Sequence, residues 1–134
     1  MVTVDVAARS AMMSRVRNRD TEPERFVRSC LFRAGLRFRL HDKTLPGCPD
    51  VVLKRSKTAI FVHGCFWHGH SCKRGTRPVS NAEFWNAKID RNIERDKIAS
   101  LALRELGWHV EVIWNCDRVA QTEALIPKIR ARVR

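Results

Sequence analysis

The chain has 134 residues, enough for one domain with a real core, and its 44% apolar and 30% charged content is ordinary for a globular fold. Its 26 Lys and Arg against 14 Asp and Glu leave a net charge of +12, which favours a phosphate-rich partner, nucleic acid first. No apolar run approaches membrane-spanning length, and Met1-Val2-Thr3-Val4-Asp5 lacks the cationic start and apolar core of a signal peptide, so a cytoplasmic protein with reduced thiols is expected.

Residues 1–20 are Arg-rich: Arg9, Arg15, Arg17 and Arg19 surround Met12, Met13 and Val16. A short basic arm or helix touching DNA and a frayed tail fit this composition about equally. Thr21 and Glu24 then form a T-x-x-E capping box with Pro23 in the first turn, which predicts a helix start. Phe26, Val27, Cys30, Leu31 and Ala34 share its apolar face, and Gly35 ends it. Leu36, Phe38 and Leu40 alternate with Arg37 and Arg39, as in a half-buried strand.

After a turn at Leu45-Pro46-Gly47-Cys48-Pro49, residues 50–53 predict a short strand and residues 58–63 a nearly all-apolar, central one. A Cys/His-rich loop follows. Ser80 and Glu83 form a second capping box, opening a long helical region to Leu106 with Gly107 as its stop. Residues 108–114 predict another strand, with Cys116 just beyond it. A last short helix is expected near Pro127, ending on Lys128, Arg130, Arg132 and Arg134.

This order predicts an α/β fold, a mixed sheet with helices on both faces. A long helix between the strands ending at His63 and Trp114 implies a parallel crossover. Parallel neighbours would bring the Cys/His loop and Cys116 to the same sheet edge. There are no repeats or linkers, so 21–134 reads as a single domain behind the basic arm of residues 1–20.

Cys65, His68, His70, Cys72 and Cys116 are five candidates for the four thiolate or imidazole ligands of a structural zinc. Clustered Cys in a reducing compartment favours metal over a free-thiol loop with surface His. Spacing alone leaves His68 and His70 open. Asp50 follows a proline at a strand start, as in nucleases where such an Asp and a neighbouring strand oxygen hold Mg²⁺. The second strand here carries Phe61-Val62-His63, with no second carboxylate and no Lys. The Val62 carbonyl would supply the missing oxygen, and His63 or His68 would serve as base or proton shuttle. Alone, Asp50 would read as a turn residue; the His-rich strand end and the basic charge reverse that preference. Trp108 and Trp114, alternating on a strand, read as core. Asn92 and Asp96, four apart, share one helical face.

Pro46-Gly47-x-Pro49-Asp50, Phe61-x-His63-Gly64-Cys65-Phe66-Trp67-His68-x-His70-x-Cys72, Glu83-Phe84-Trp85, Asn92-x-Glu94-Arg95-Asp96 and Glu105-Leu106-Gly107-Trp108 with Trp114-x-Cys116 resemble the very short patch repair (Vsr) endonucleases of bacteria. Met13 and Arg19-Asp20-Thr21-x-x-Glu24 extend the resemblance over nearly the whole chain. It implies a restriction-endonuclease-like fold. It also implies a Mg²⁺-dependent nick of duplex DNA 5′ to the thymine of a T:G mismatch, the lesion left when 5-methylcytosine deaminates.

By the same resemblance Asp50, with the Val62 carbonyl, holds Mg²⁺. His63 and His68 act near the scissile phosphate with His68 as base, and Glu24 is an auxiliary acid. Cys65, His70, Cys72 and Cys116 hold zinc, which resolves the His68/His70 choice. Phe66, Trp67 and Trp85 match aromatics that wedge beside the mismatch, where opening the stack costs least and ring faces recover stacking. Met13 and Val16 match a segment entering the minor groove. From their shared helical face, Asn92 is expected on the DNA side and Asp96 as an auxiliary group supporting the site through hydrogen bonds, with a solvated helix face the competing reading. The expected partners are mismatched duplex DNA and mismatch-repair proteins, the chain itself acting as a monomer. Val62 stands where members of the family carry a threonine, and Gly69 and Ser71 interrupt what can be a continuous His run. Two readings compete: a related nicking enzyme indifferent to mismatch, and a zinc-stabilised DNA-binding module without turnover.

Overall fold

The computed structural model describes residues 21–133; the arm of residues 1–20, with Met13 and Val16, lies outside them, as does Arg134. Helix α1, Glu22–Arg33, begins as its capping box predicts. The Thr21 hydroxyl oxygen accepts the Glu24 N–H at 3.4 Å, and Pro23 sits in the first turn, where no backbone donor is lost. Strand β1 is only Arg39–Leu40, shorter than the alternation predicts. The Leu36 N–H is spent on the Leu31 carbonyl closing α1, so the chain enters the sheet late, while Leu36 and Phe38 still pack on the core.

Strands β2, Val51–Leu53, and β3, Thr58–His63, form a hairpin, both buried along their whole length. Helix α2, Ala82–Glu105, crosses over to β4, His109–Trp114. The sheet order is β1-β2-β3-β4, antiparallel except for the parallel β3–β4 pair, whose register runs from Thr58↔His109 to His63↔Trp114. Helix α3, Arg118–Arg132, closes the fold.

Period-two alternation divides the sheet between two apolar layers. Val51, Leu53, Ile60, Val62 and Ile113 pack with Val27 and Leu31 of α1 and Leu125 and Ile129 of α3. Ala59 and Phe61 pack with Ala99 and Leu103 of α2, flanked by Trp108, Val110 and Val112. The mixed sheet with helices on both faces is the architecture the element order predicts.

Two helix starts differ from expectation. Ser80 does not cap α2; Asn81 occupies the N-cap position without a side-chain capping bond, in a left-handed conformation (φ 55°) that turns the chain after Ser80 and breaks the S-x-x-E geometry. Helix α3 begins at Arg118 rather than near Pro127, which lies inside it. An internal proline loses one helix hydrogen bond and costs about 3 kcal/mol. Thr122, Leu125 and Ile129, buried at helical spacing, hold the helix across it. Among the described residues no helix is long and apolar enough to cross a membrane.

Candidate active site and metal centre

The parallel β3–β4 register sets the site. It places His63 opposite Trp114, so the loop after β3 and the turn after β4 leave the sheet side by side. Here Cys65, His70, Cys72 and Cys116 converge, their ligand atoms all within 4.8 Å of one another. The Cys116 Sγ lies 3.5 Å from His70 Nδ1. Tetrahedral zinc with sulfur and nitrogen ligands requires ligand-to-ligand edges of about 3.5–3.8 Å, so these four residues fit such an ion. Desolvation acts to raise the Cys72 thiol, but hydrogen bonds from His70 and Cys65 outweigh it and bring the pKa down to about 6. Desolvation, with Cys65 and Cys72 alongside, pushes Cys116 up to about 11. Three thiols on one spot resist ionising together, a repulsion that a dication relieves.

The loop's shape depends on two glycines. Gly69 (φ 63°) lies against α2, where a Cβ would stand 2.7 Å from Ile93 Cδ1. At Gly75 a Cβ would fall 1.8 Å from the His70 carbonyl oxygen, so only glycine permits the turn that seats His70. Trp114, read from alternation as core, instead stacks on the His70 ring (4.1 Å, 17°) and meets His63 edge-on at 5.1 Å. The strand-end register that explains this is invisible to alternation. Trp108 packs in the α2 layer as expected.

His63 and His68 stack face to face at 3.7 Å and 3°. Asp96 of α2 approaches both: its Oδ2 is 2.6 Å from His68 Nδ1 and its Oδ1 4.0 Å from His63 Nε2. A carboxylate on Nδ1 makes that nitrogen the donor, so the neutral tautomer of His68 carries its lone pair on Nε2. His63 is buried. Desolvation, then the neighbouring His68, lowers its pKa to about 4 against the pull of Asp96, so it is neutral at physiological pH. Its Nδ1 has no hydrogen-bond partner among the described residues.

Asp50 immediately precedes β2. Its Oδ2 accepts the Val62 N–H at 2.7 Å, substituting a carboxylate for a strand partner. Burial raises its pKa from 3.8 to about 6, with the Val62 N–H opposing and Glu24 adding to the rise. His68 is near enough to work against that rise. Asp50 and the imidazoles thus share one edge of the sheet. Glu24, buried in the first turn of α1, presents Oε2 to His41 Nε2 at 3.1 Å and to Arg28 at 3.7 Å. The ligand atoms of Glu24, His41 and Asp50 lie within 4.8 Å of one another. Two carboxylates pressed together in a partly dry pocket are a setting a divalent cation stabilises, so Asp50 fits the Mg²⁺ role. No motif singled out His41; its only sequence signal is an imidazole at the end of an apolar–basic alternation.

The aromatics form one cluster. Phe66 meets Trp67 (5.3 Å, 89°), and Trp85 lies beneath both, at 5.5 and 6.1 Å. Phe66 and Trp67 are half-buried; Trp85 is 2% exposed. Trp85, grouped with Phe66 and Trp67 by the resemblance, is enclosed beneath those two rings. Two residues of this cluster escaped sequence reasoning. Phe84 is 42% exposed beside Trp85, and the Lys88 ammonium lies 5.2 Å over the Trp67 ring. The Asn92 side chain donates to the Trp67 carbonyl at 2.9 Å, tying the aromatic loop to α2. Arg95 donates to the Asn92 Oδ1 in turn.

Residues 1–74 match the family described as DNA mismatch endonuclease Vsr. The chain is 48% identical over 109 residues to the type II nicking enzyme V.XorIIP of Xanthomonas oryzae pv. oryzae, covering 81% of this chain and 80% of the relative. It is 46% identical over 109 residues to the type II nicking enzyme V.NmeAIP of Neisseria meningitidis, 81% of this chain and 78% of that one. It is 45% identical over 112 residues to the DNA mismatch endonuclease Vsr of Escherichia coli, 84% and 72% of the two chains.

Proposed function

The chain belongs to the Vsr family of DNA mismatch endonucleases, hydrolases of the phosphodiester bond, and from that premise we propose that it nicks one strand of duplex DNA 5′ to the thymine of a T:G mismatch, with Mg²⁺ at Asp50 and a structural zinc. The observation that carries the reading is the His63–His68 stack held by Asp96 at the sheet edge where Asp50 clamps β3.

Mg²⁺, held by the Asp50 carboxylate and the Val62 carbonyl, would polarise the scissile phosphate and lower the pKa of water. The protein's own groups do the rest. His68 accepts the proton of the attacking water at Nε2, and Asp96 on Nδ1 orients the ring and stabilises the imidazolium that forms. His63, neutral and stacked on it, holds the ring plane and faces the phosphate without adding charge. Glu24 sits behind Asp50 as an auxiliary acid. Zinc on Cys65, His70, Cys72 and Cys116 would fix the loop that carries His68 and the aromatics.

Phe66 and Trp67, resting on Trp85, enter the stack beside the mispair, where unstacking costs least. Asn92 and Lys88 support this face, and Met13 and Val16 of the arm enter the minor groove. The names of the relatives favour one alternative, since two are called nicking enzymes with no mention of mismatch. Nicking rates on matched and T:G duplexes of identical sequence, with Mg²⁺, decide between them. Preference for T:G is expected; equal rates would select the alternative, and no nicking on either would leave only a DNA-binding module.

A further inference from the structure

His41 plays no part in the chemistry above, yet it stands at its centre. The β1–β2 register pairs Leu40 with Val51, and the next backbone bond runs from the His41 N–H to the Asp50 carbonyl at 3.2 Å. His41 therefore opposes Asp50 where the two strands part. Its backbone is left-handed (φ 46°), which takes the side chain out of the strand's alternation. The imidazole is largely enclosed and meets the buried carboxylate of Glu24 at 3.1 Å. Three chain segments thus place one nitrogen and two carboxylates within 4.8 Å of one another.

We infer that Glu24, His41 and Asp50 together form one divalent-cation site, in which the His41 nitrogen gives preference to borderline metals such as Co²⁺ over Mg²⁺; this rests on the reading of Asp50 as a cation ligand. The chemistry follows from the donor set. Mg²⁺ prefers oxygen and keeps its waters, so an imidazole adds little to its binding. First-row transition ions gain from a nitrogen donor. Asp50 has one oxygen on the Val62 N–H and a second oxygen to offer. Glu24 and His41 face it from α1 and from the end of β1. Arg28, 3.7 Å from Glu24, is the competing explanation of the cluster, as a simple ion pair in which His41 only pins Glu24. A pinning role affects every cation alike, whereas a ligand role affects Co²⁺ selectively.

The experiment uses the full chain, zinc-loaded and without DNA, titrated with Co²⁺ by calorimetry, with Mg²⁺ as competitor. The variant is His41→Asn, since asparagine tolerates the left-handed backbone while lacking the imidazole. Co²⁺ affinity is expected to fall tenfold or more, and Mg²⁺ affinity threefold at most. Proton NMR of the Co²⁺-loaded parent should show a hyperfine-shifted imidazole resonance that the variant lacks. Equal losses for both metals would overturn the inference. So would a shifted imidazole signal that persists in the variant, since it would belong to the His63–His68 pair. Asp50→Asn separates the two levels. Full Mg²⁺-dependent nicking by that variant would remove the underlying reading. Lost nicking there, with Co²⁺ affinity unchanged in His41→Asn, would remove only the role of His41.

Discussion

A single carboxylate, Asp96, organises the imidazole pair by touching His68 at Nδ1 and standing near His63. Replacing it with asparagine keeps the shape but allows the wrong tautomer, so nicking by Asp96→Asn should fall about 10–100-fold. Single-turnover rates on saturating DNA check this, with binding affinity unchanged. Asp50 makes a second, independent prediction from its raised pKa. The unfolded carboxyl loses its proton at 3.8 and the folded one at about 6, so the charged form costs stability once the pH exceeds both values. The half-buried site reduces that cost by solvent screening, to about 2 kcal/mol. With Mg²⁺ omitted, Asp50→Asn should therefore be more stable than the parent at pH 8, by a margin that roughly halves at pH 5. His63 runs the other way. Its folded pKa of about 4 lies below the unfolded 6.5, so its contribution is present above 6.5 and is lost as the pH falls toward 4. Because His63 is common to both proteins, its effect cancels in the comparison. Denaturant melts at the two pH values measure the difference, and an Asp50→Asn variant no more stable at pH 8 would refute the raised pKa.

At the level of elements, the loop after β3 is held by Phe66 and Trp67 on Trp85, by Gly69 against α2, by Asn92 on the Trp67 carbonyl, and by the convergence of Cys65, His70 and Cys72 with Cys116. Cys116 alone comes from the far side of the α2 crossover. Cys116→Ser should therefore lower zinc stoichiometry and melting temperature together, and nicking with them. Full zinc occupancy in that variant would strike Cys116 from the ligand set. The same elements show which local signals are dependable. The Thr21 cap forms, with the helix behind it amphipathic against the core, while the Glu24 carboxylate of the predicted box faces His41 and Arg28. The box at Ser80 does not form, because Asn81 turns the chain before α2 begins. Pro127 is a poor stop signal for a similar reason. Leu125 and Ile129 are buried on either side of it, and that packing outweighs the local cost.

For the whole molecule, the net charge of +12 sets how DNA is held. Neutralising roughly six to ten phosphates would make affinity fall about 10³–10⁵-fold between 50 and 200 mM salt. On the proposed reading, titrations of matched and mismatched duplexes at several salt concentrations should give parallel slopes displaced by the mismatch contribution, the phosphate contacts positioning the protein and the proposed aromatic face discriminating. A slope near zero would mean that the basic surface is not the DNA face.

Much of the molecule was legible in the amino-acid order, because it depends on short-range pattern. Short apolar runs specified β2 and β3, and the run of residues 108–114 specified β4; helical spacing specified α1 and α2; and a helix between two strands specified the parallel crossover that brings Cys116 to the Cys/His loop. Ligand types in one loop, a proline before an acid and an excess of cations point to metal and nucleic acid from the amino-acid order alone. What depends on which surfaces meet was decided only in three dimensions. Trp114 lies on His70 rather than in the core, Trp85 lies beneath Phe66 and Trp67, and His41 reaches Asp50 and Glu24 from a strand end. These contacts join residues far apart in the chain through strand register and a left-handed turn. Such geometry arises when sheet and helices pack together, and local periodicity carries no record of it.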